Sequence, residues 1–259
     1  MLDRLKSRLL ETAGSVIDVS VPDIPGRFSD ALHEMTEHNY HLELSLLACA
    51  SSMWCGADEY TGMPAAVASL LLRAGVTAHL GTCGLPEVFS MSSVTPQDDE
   101  TLAILAGDGL LALAIEYLAD NCGRHSSRLV SEAVKAMGSS GMLEGLSLQV
   151  DSFSGMDVIV PDGRSGLELY TGQLARFASH GGALLAGASG MMVDDAAQIG
   201  LLTGRARHLS SLAELYKNRH RKSELIFQAR TLTEQAQSIA GHKDNATLFN
   251  SLMYLSNFF

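Results

Sequence analysis

Leu102-Ala103-Ile104-Leu105-Ala106-Gly107-Asp108-Gly109-Leu110-Leu111-Ala112-Leu113-Ala114 sets a single charge, Asp108, among small and aliphatic side chains. The apolar character continues to Leu118 without the every-second-residue alternation of a half-buried strand, so the segment reads as a helix that is apolar on more than one face. Ala65 to Val76 reads the same way. Helices of this kind suit the centre of a bundle, and the fold class they imply is all-α.

Working outward, helical periodicity predicts helices near 2–13, 28–37, 41–55, 63–78, 99–120, 125–138, 139–151, 165–180, 182–188, 192–216, 221–240 and 244–256. Breakers fall between them: Pro22 and Pro25 before the second helix, Pro64 in a first turn, Pro96 before Asp98-Asp99-Glu100, and Pro161-Asp162-Gly163. Neither a fixed-period repeat nor a low-complexity linker interrupts the pattern, so a single domain over 1–259 is expected.

Composition narrows the function classes. A formal net charge of -11 argues against nucleic-acid and anionic-membrane binding, which need clustered positive potential. The cysteines at 49, 55, 83 and 122 sit in or beside apolar runs and not at metal-ligand spacings, which predicts buried free thiols and a cytoplasmic protein. Met1 to Glu11 mixes charge with apolar residues and lacks the apolar core of a signal peptide. No run is expected to reach the roughly 20 apolar residues that span a bilayer.

Four landmarks resemble the trans-isoprenyl diphosphate synthases, the polyprenyl synthetase family. The stretch around Asp108 is similar to that family's "AILAGDxLLxxA". Leu44-Ser45-Leu46-Leu47-Ala48-Cys49 resembles "RPxLxLLAC", and Gly141-Met142-Leu143-Glu144-Gly145 resembles "GMxGGQ". Tyr170-Thr171-Gly172 with Gly182-Ala183-Leu184-Leu185-Ala186-Gly187-Ala188 resembles "KTG…GAxLAG", and Ala229 to Leu255 looks like the closing helices. They occur in the family's order from about residue 40 onward. The resemblance implies an isoprenoid-synthase-type helical bundle.

It also implies a chemistry whose residues this chain lacks. In the family two DDxxD motifs face each other and hold Mg²⁺ against an allylic diphosphate, each placing carboxylates on one helical face. The first should fall near Thr77 to Gly84, which contains no carboxylate, and Leu85 to Met91 lacks the arginine pair expected after it. The second should fall at Arg207-His208-Leu209-Ser210-Ser211, where a positive pair stands instead. The glutamine and aspartate of "GMxGGQxxD" become Leu146 and Gln149, and the lysine of "KTG" becomes Tyr170, followed by Thr171. The basic site for the second substrate becomes Glu37 to Leu42, with His38 and His41 as the nearest substitutes. The lysine-and-glycine loop that helps close the family's site is not recognisable after Arg207.

Other polar groups have simpler readings. Asp98-Asp99-Glu100 and Asp194-Asp195 suit helix starts, and Asp58-Glu59 a polar loop. His33 and His38 stand five apart, not the four of a zinc helix. Gly138-Ser139-Ser140-Gly141 suits a helix connection, and Lys217 to Lys222 a solvated turn, with residual phosphate affinity or an acidic partner's contact as the alternatives. Asp108 is expected to make a structural hydrogen bond.

Losing the metal ligands and the diphosphate cations together removes the largest catalytic term such an enzyme has. The expectation is therefore a non-catalytic homologue with no Mg²⁺ site of the family type. It would form a homodimer, or a heterodimer with a catalytic prenyl synthase whose structure or regulation it serves. Alternatives are a binding protein for a prenyl or other apolar ligand, and an enzyme with altered, metal-independent chemistry. His38, His41, Asp108, Leu146, Gln149, Tyr170, Thr171, Arg207 and His208 mark the degenerate pocket.

Overall fold

Leu5, Leu9, Ala13 and Ile17 recur every fourth residue and are wholly buried, which makes the N-terminal segment a helix with one apolar face. The computed structural model describes residues 1–20, 27–37, 42–82, 100–151, 166–215 and 217–241, with 247, 249, 250 and 252. Among them every regular element is helical, so the fold is all-α as the periodicity predicts.

In chain order the helices are α1 (Leu2–Ser20), α2 (Arg27–Thr36), α3 (Leu42–Ser45), α4 (Leu47–Trp54), α5 (Met63–Thr82) and α6 (Glu100–Asn121). After a 3-10 turn at Gly123–His125 come α7 (Ser126–Met137), α8 (Met142–Asp151), α9 (Gly166–Leu185), α10 (Gly190–Leu215) and α11 (Arg219–Ala240). Two helices organise the bundle. α5 packs on α6 and α9 and also touches α1, α2, α3, α4, α7 and α8, while α9 packs on α10, α4 and α8.

Small residues set these approaches. A Cβ at Gly75 on α5 would lie 2.8 Å from the Gly107 carbonyl of α6, and one at Gly107 would lie 2.9 Å from the Gly75 carbonyl. The glycine before Asp108 is therefore where α5 and α6 cross. α11 and the segment beyond it return to the start of the bundle: Trp54 Nε1 donates to the Ala240 carbonyl at 2.9 Å, and the Trp54 and Phe249 rings meet edge-on at 6.0 Å.

Several boundaries differ from expectation. α1 continues beyond residue 13, because Ile17 extends the buried stripe and Gly14 presents a small face to His33 of α2. The expected helices at 165–180 and 182–188 are one, α9. Gly182 does not break it, since a Cβ there would lie 1.9 Å from the Ala48 carbonyl; this glycine admits α4. α9 ends at Gly187, whose φ of 71° and the Ala188 N–H bond to the Ala183 carbonyl form a Schellman cap. The helix expected at 41–55 is divided at Leu46 into α3 and α4. Of 244–256, the four described residues are helical and the rest lies outside the described residues.

α6 corrects a further expectation. Its 22 residues are long and apolar enough to cross a membrane, though here it lies against α5, α2 and α7.

The expectation of buried thiols holds at Cys49 and Cys122 but not at Cys55. Cys49 and Cys122 are buried and free, and burial pushes them up to about 12 and about 11. Cys55 is half-buried, and Cys83 lies outside the described residues.

Candidate functional site

α10 carries Thr203 and Arg207 one turn apart on the face it turns toward α9, where Gly204 lets the helices touch: a Cβ there would lie 2.5 Å from the Thr171 carbonyl. That contact brings Thr171 of α9 and Arg207 of α10 to one cavity, and Arg73 of α5 stands over Tyr170 while its charge reaches His208. α5 supplies the third wall with Arg73 and Thr77. The result is a buried polar layer inside an otherwise apolar bundle.

Its partners are specific. Tyr170 is buried, its hydroxyl lies 2.9 Å from Thr77 Oγ1, and the Arg73 guanidinium stands over its ring at 4.2 Å from the centroid. Arg207 Nη2 lies 3.6 Å from Glu43 Oε2 on α3, and the same glutamate faces Lys6 of α1 at 3.9 Å. Burial first, and the Arg73 charge second, push His208 down to about 3, so its ring is neutral at ordinary pH. Glu43, Leu44, Leu47, Thr171, Thr203, Arg207 and Leu252 enclose a cavity of about 10 Å³. That is room for one water at most.

The other expected pocket residues lie elsewhere. Asp108 sits on the surface between α5 and α6, its side chain 67% exposed and 3.3 Å from His79 Nε2. The contact is a surface ion pair with His79. Leu146 and Gln149 fall in α8, with side chains outside the described residues, as do His38 and His41 altogether. His33 is held by Asp18 at 3.0 Å. Asp58 closes its own turn by accepting from the Tyr60 and Thr61 N–H groups. Asn218 in the basic run caps α11.

Arg73, Thr77 and Glu43 were missed. Arg73 did carry a signal: it is the one charge in the apolar run Ala65 to Val76 and so had to be buried with α5. Glu43 carried none, because its partner lies 164 positions away by the difference between 207 and 43.

No family sequence model matches the chain, and no curated protein sequence matches it significantly. Solved structures do. An FPP/GFPP synthase from Zymomonas mobilis superposes with a TM-score of 0.78 at 19% identity, over 98% of each chain. Geranyl diphosphate synthase small subunit from Antirrhinum majus superposes at 0.69 with 20% identity, over 96% of this chain and 98% of that one. A mint heterotetrameric geranyl pyrophosphate synthase gives 0.70 at 21%, with the same coverage.

The chain has the isoprenyl diphosphate synthase fold.

Within that fold, the position of Arg207 and His208 does not offer the oxygens that Mg²⁺ takes as ligands. Arg207 brings positive charge, His208 a neutral ring, and Glu43 is already shared between Arg207 and Lys6. Among the described residues, no three His, Cys, Asp or Glu side chains gather closely enough to hold a metal ion.

Proposed function

We propose that this prenyl-synthase-like chain is a non-catalytic subunit, one domain over 1–259, that assembles with a catalytic isoprenyl diphosphate synthase in the cytoplasm and shapes its structure or activity. The observation that carries this reading is the Arg207–Glu43 pair beside neutral His208, enclosing about 10 Å³ where a diphosphate enzyme needs an open, cation-loaded site. Diphosphate departure depends on preorganised positive charge reaching the leaving group, and here the positive groups are buried and engaged with the protein itself. The reading includes no Mg²⁺ site of the family type.

Two observations support assembly. Only 39% of the apolar window of α6 is buried, and Ile104 and Leu105 are 42% and 53% exposed, so this helix keeps an apolar flank for another surface. Two of the similar structures are a heterotetrameric synthase and a synthase small subunit. A prenyl chain bound inside this molecule is less well supported, because Arg73 and Tyr170 fill the interior beside the small cavity.

Co-expression with a DDxxD-bearing synthase tests the reading. The two chains should co-elute as one complex of defined mass, and the complex should differ from the synthase alone in rate or product length. Separate elution with unchanged catalysis would refute it.

A further inference from the structure

The charges of α6 are all of one sign. Its 22 residues carry Glu100, Asp108, Glu116 and Asp120 and no lysine, arginine or histidine. Leu105, Asp108, Ala112, Glu116 and Ala119 follow one another at spacings of three and four, so they share one face of the helix, and all five are exposed. That face is a seam in which aliphatic and carboxylate side chains alternate. The alanines at 112 and 119 are small enough for another helix to lie close along it.

The far end of the seam opens into a groove. Between the C-terminal halves of α1 and α6 lies a space of about 410 Å³, with Glu116, Tyr117 and Asp120 on one wall and Val16 and Val19 on the other. Thr12 and Ser15 also line it, but their hydroxyls donate to the Arg8 and Glu11 carbonyls of their own helix at 2.7 and 2.9 Å. No basic side chain is among its walls. Among the described residues, neither Glu116 nor Asp120 has an ion-pair partner, which leaves two unengaged carboxylates one turn apart at the mouth of a partly apolar groove.

Charge and shape together select the occupant. A second copy of this chain does not fit, because a two-fold contact across the seam would set the carboxylates of both copies in one partly apolar interface, with no cation on either α6 to meet them. A partner helix that alternates aliphatic residues with lysine or arginine matches both halves of the pattern. Its aliphatic side chains would cover Leu105 and lie over the two alanines. A long basic side chain at its end would run its stem along Val16 and Val19 and place its charged head between Glu116 and Asp120.

We propose that the α6 seam and the α1–α6 groove form a docking surface for a basic, aliphatic helix of a different protein, and that their charge excludes a homodimer through the same face. This rests on the subunit reading above, in which α6 is the assembling surface, and adds the chemistry of the partner to it.

Sedimentation of the full-length chain alone, and co-elution with the DDxxD-bearing synthase, both at neutral pH, test it. Alone, Leu105→Asp should sediment as the parent chain does; a dimer of the parent that Leu105→Asp dissolves would overturn the proposal. With the synthase, added salt should weaken the complex, because exposed charges are screened. Glu116→Lys with Asp120→Lys should weaken it by about tenfold or more, and Glu116→Gln with Asp120→Asn by about threefold. Lysines in the last turns of α6 suit the helix dipole, so the charge-reversed variant keeps its fold. Glu234→Lys, the same charge change on the exposed face of α11, should leave the complex unchanged. A salt-insensitive complex that tolerates the reversal, or an equal loss on Glu234→Lys, would overturn this proposal and leave the subunit reading standing. Separate elution of the two unmodified chains at low ionic strength would overturn both.

Discussion

α5 and α6 lie side by side, cross at facing glycines and are similarly apolar, yet the bundle treats them oppositely. Every residue of α5 from Ala65 to Val76 is buried, including Ser69 and Arg73, whereas α6 leaves Ile104 and Leu105 in solvent. The molecule buries a guanidinium and exposes aliphatic side chains. The contrast is that of a filled interior and an unfinished surface.

The strongest way to break the filled interior is Tyr170→Ala. It removes a buried ring that supports Arg73 on its face and Thr77 through its hydroxyl, and a loss of about 3–5 kcal/mol in denaturant unfolding is expected. A loss under about 1 kcal/mol would show that the layer is loosely packed and open to a ligand.

The neutral histidine inside the layer gives the next effect. His208 is held at about 3 against a usual 6.5, so its stabilising contribution is complete above about pH 6.5 and is lost as the pH falls toward 3. Between those limits the unfolded chain takes up a proton that the native ring refuses, and stability should fall by up to about 1.4 kcal/mol per pH unit from this group. His208→Gln should flatten that slope in unfolding titrations from neutral to mildly acidic pH. An unchanged slope would mean that the ring is not neutral and buried.

Tyr170→Phe keeps the ring and removes only the bond to Thr77. A loss of about 1 kcal/mol separates the hydroxyl from the packing.

The smallest effect on stability belongs to the unfinished surface. Ile104→Asp with Leu105→Asp should change unfolding free energy by no more than about 0.5 kcal/mol, because both side chains are already exposed in the single chain. The same variant should lose its assemblies in sedimentation experiments. Intact assembly would move the interface away from α6.

Much of this was legible because helical periodicity is local. The buried stripe of α1, the apolar run of α5 and the order of the four landmarks can all be read from neighbouring residues. The difference between α5 and α6 cannot, since both are apolar on more than one face and only tertiary packing decides which is enclosed. The expected division between 180 and 182 fails for the same reason: only tertiary packing shows that Gly181 and Gly182 admit α5 and α4 within one continuous helix. At the site, the sequence marked Tyr170, Thr171, Arg207 and His208, and the fold brings them together. It could not supply Glu43, whose role exists only through a contact between α3 and α10.

The central claim is that the filled interior does not turn over substrate by itself. The most direct measurement is product formation from labelled isopentenyl diphosphate and an allylic diphosphate with Mg²⁺, using the purified chain alone and then mixed with a catalytic synthase. The account predicts no product above background from the chain alone and an altered rate or product length in the mixture. Sustained turnover by the chain alone would contradict it.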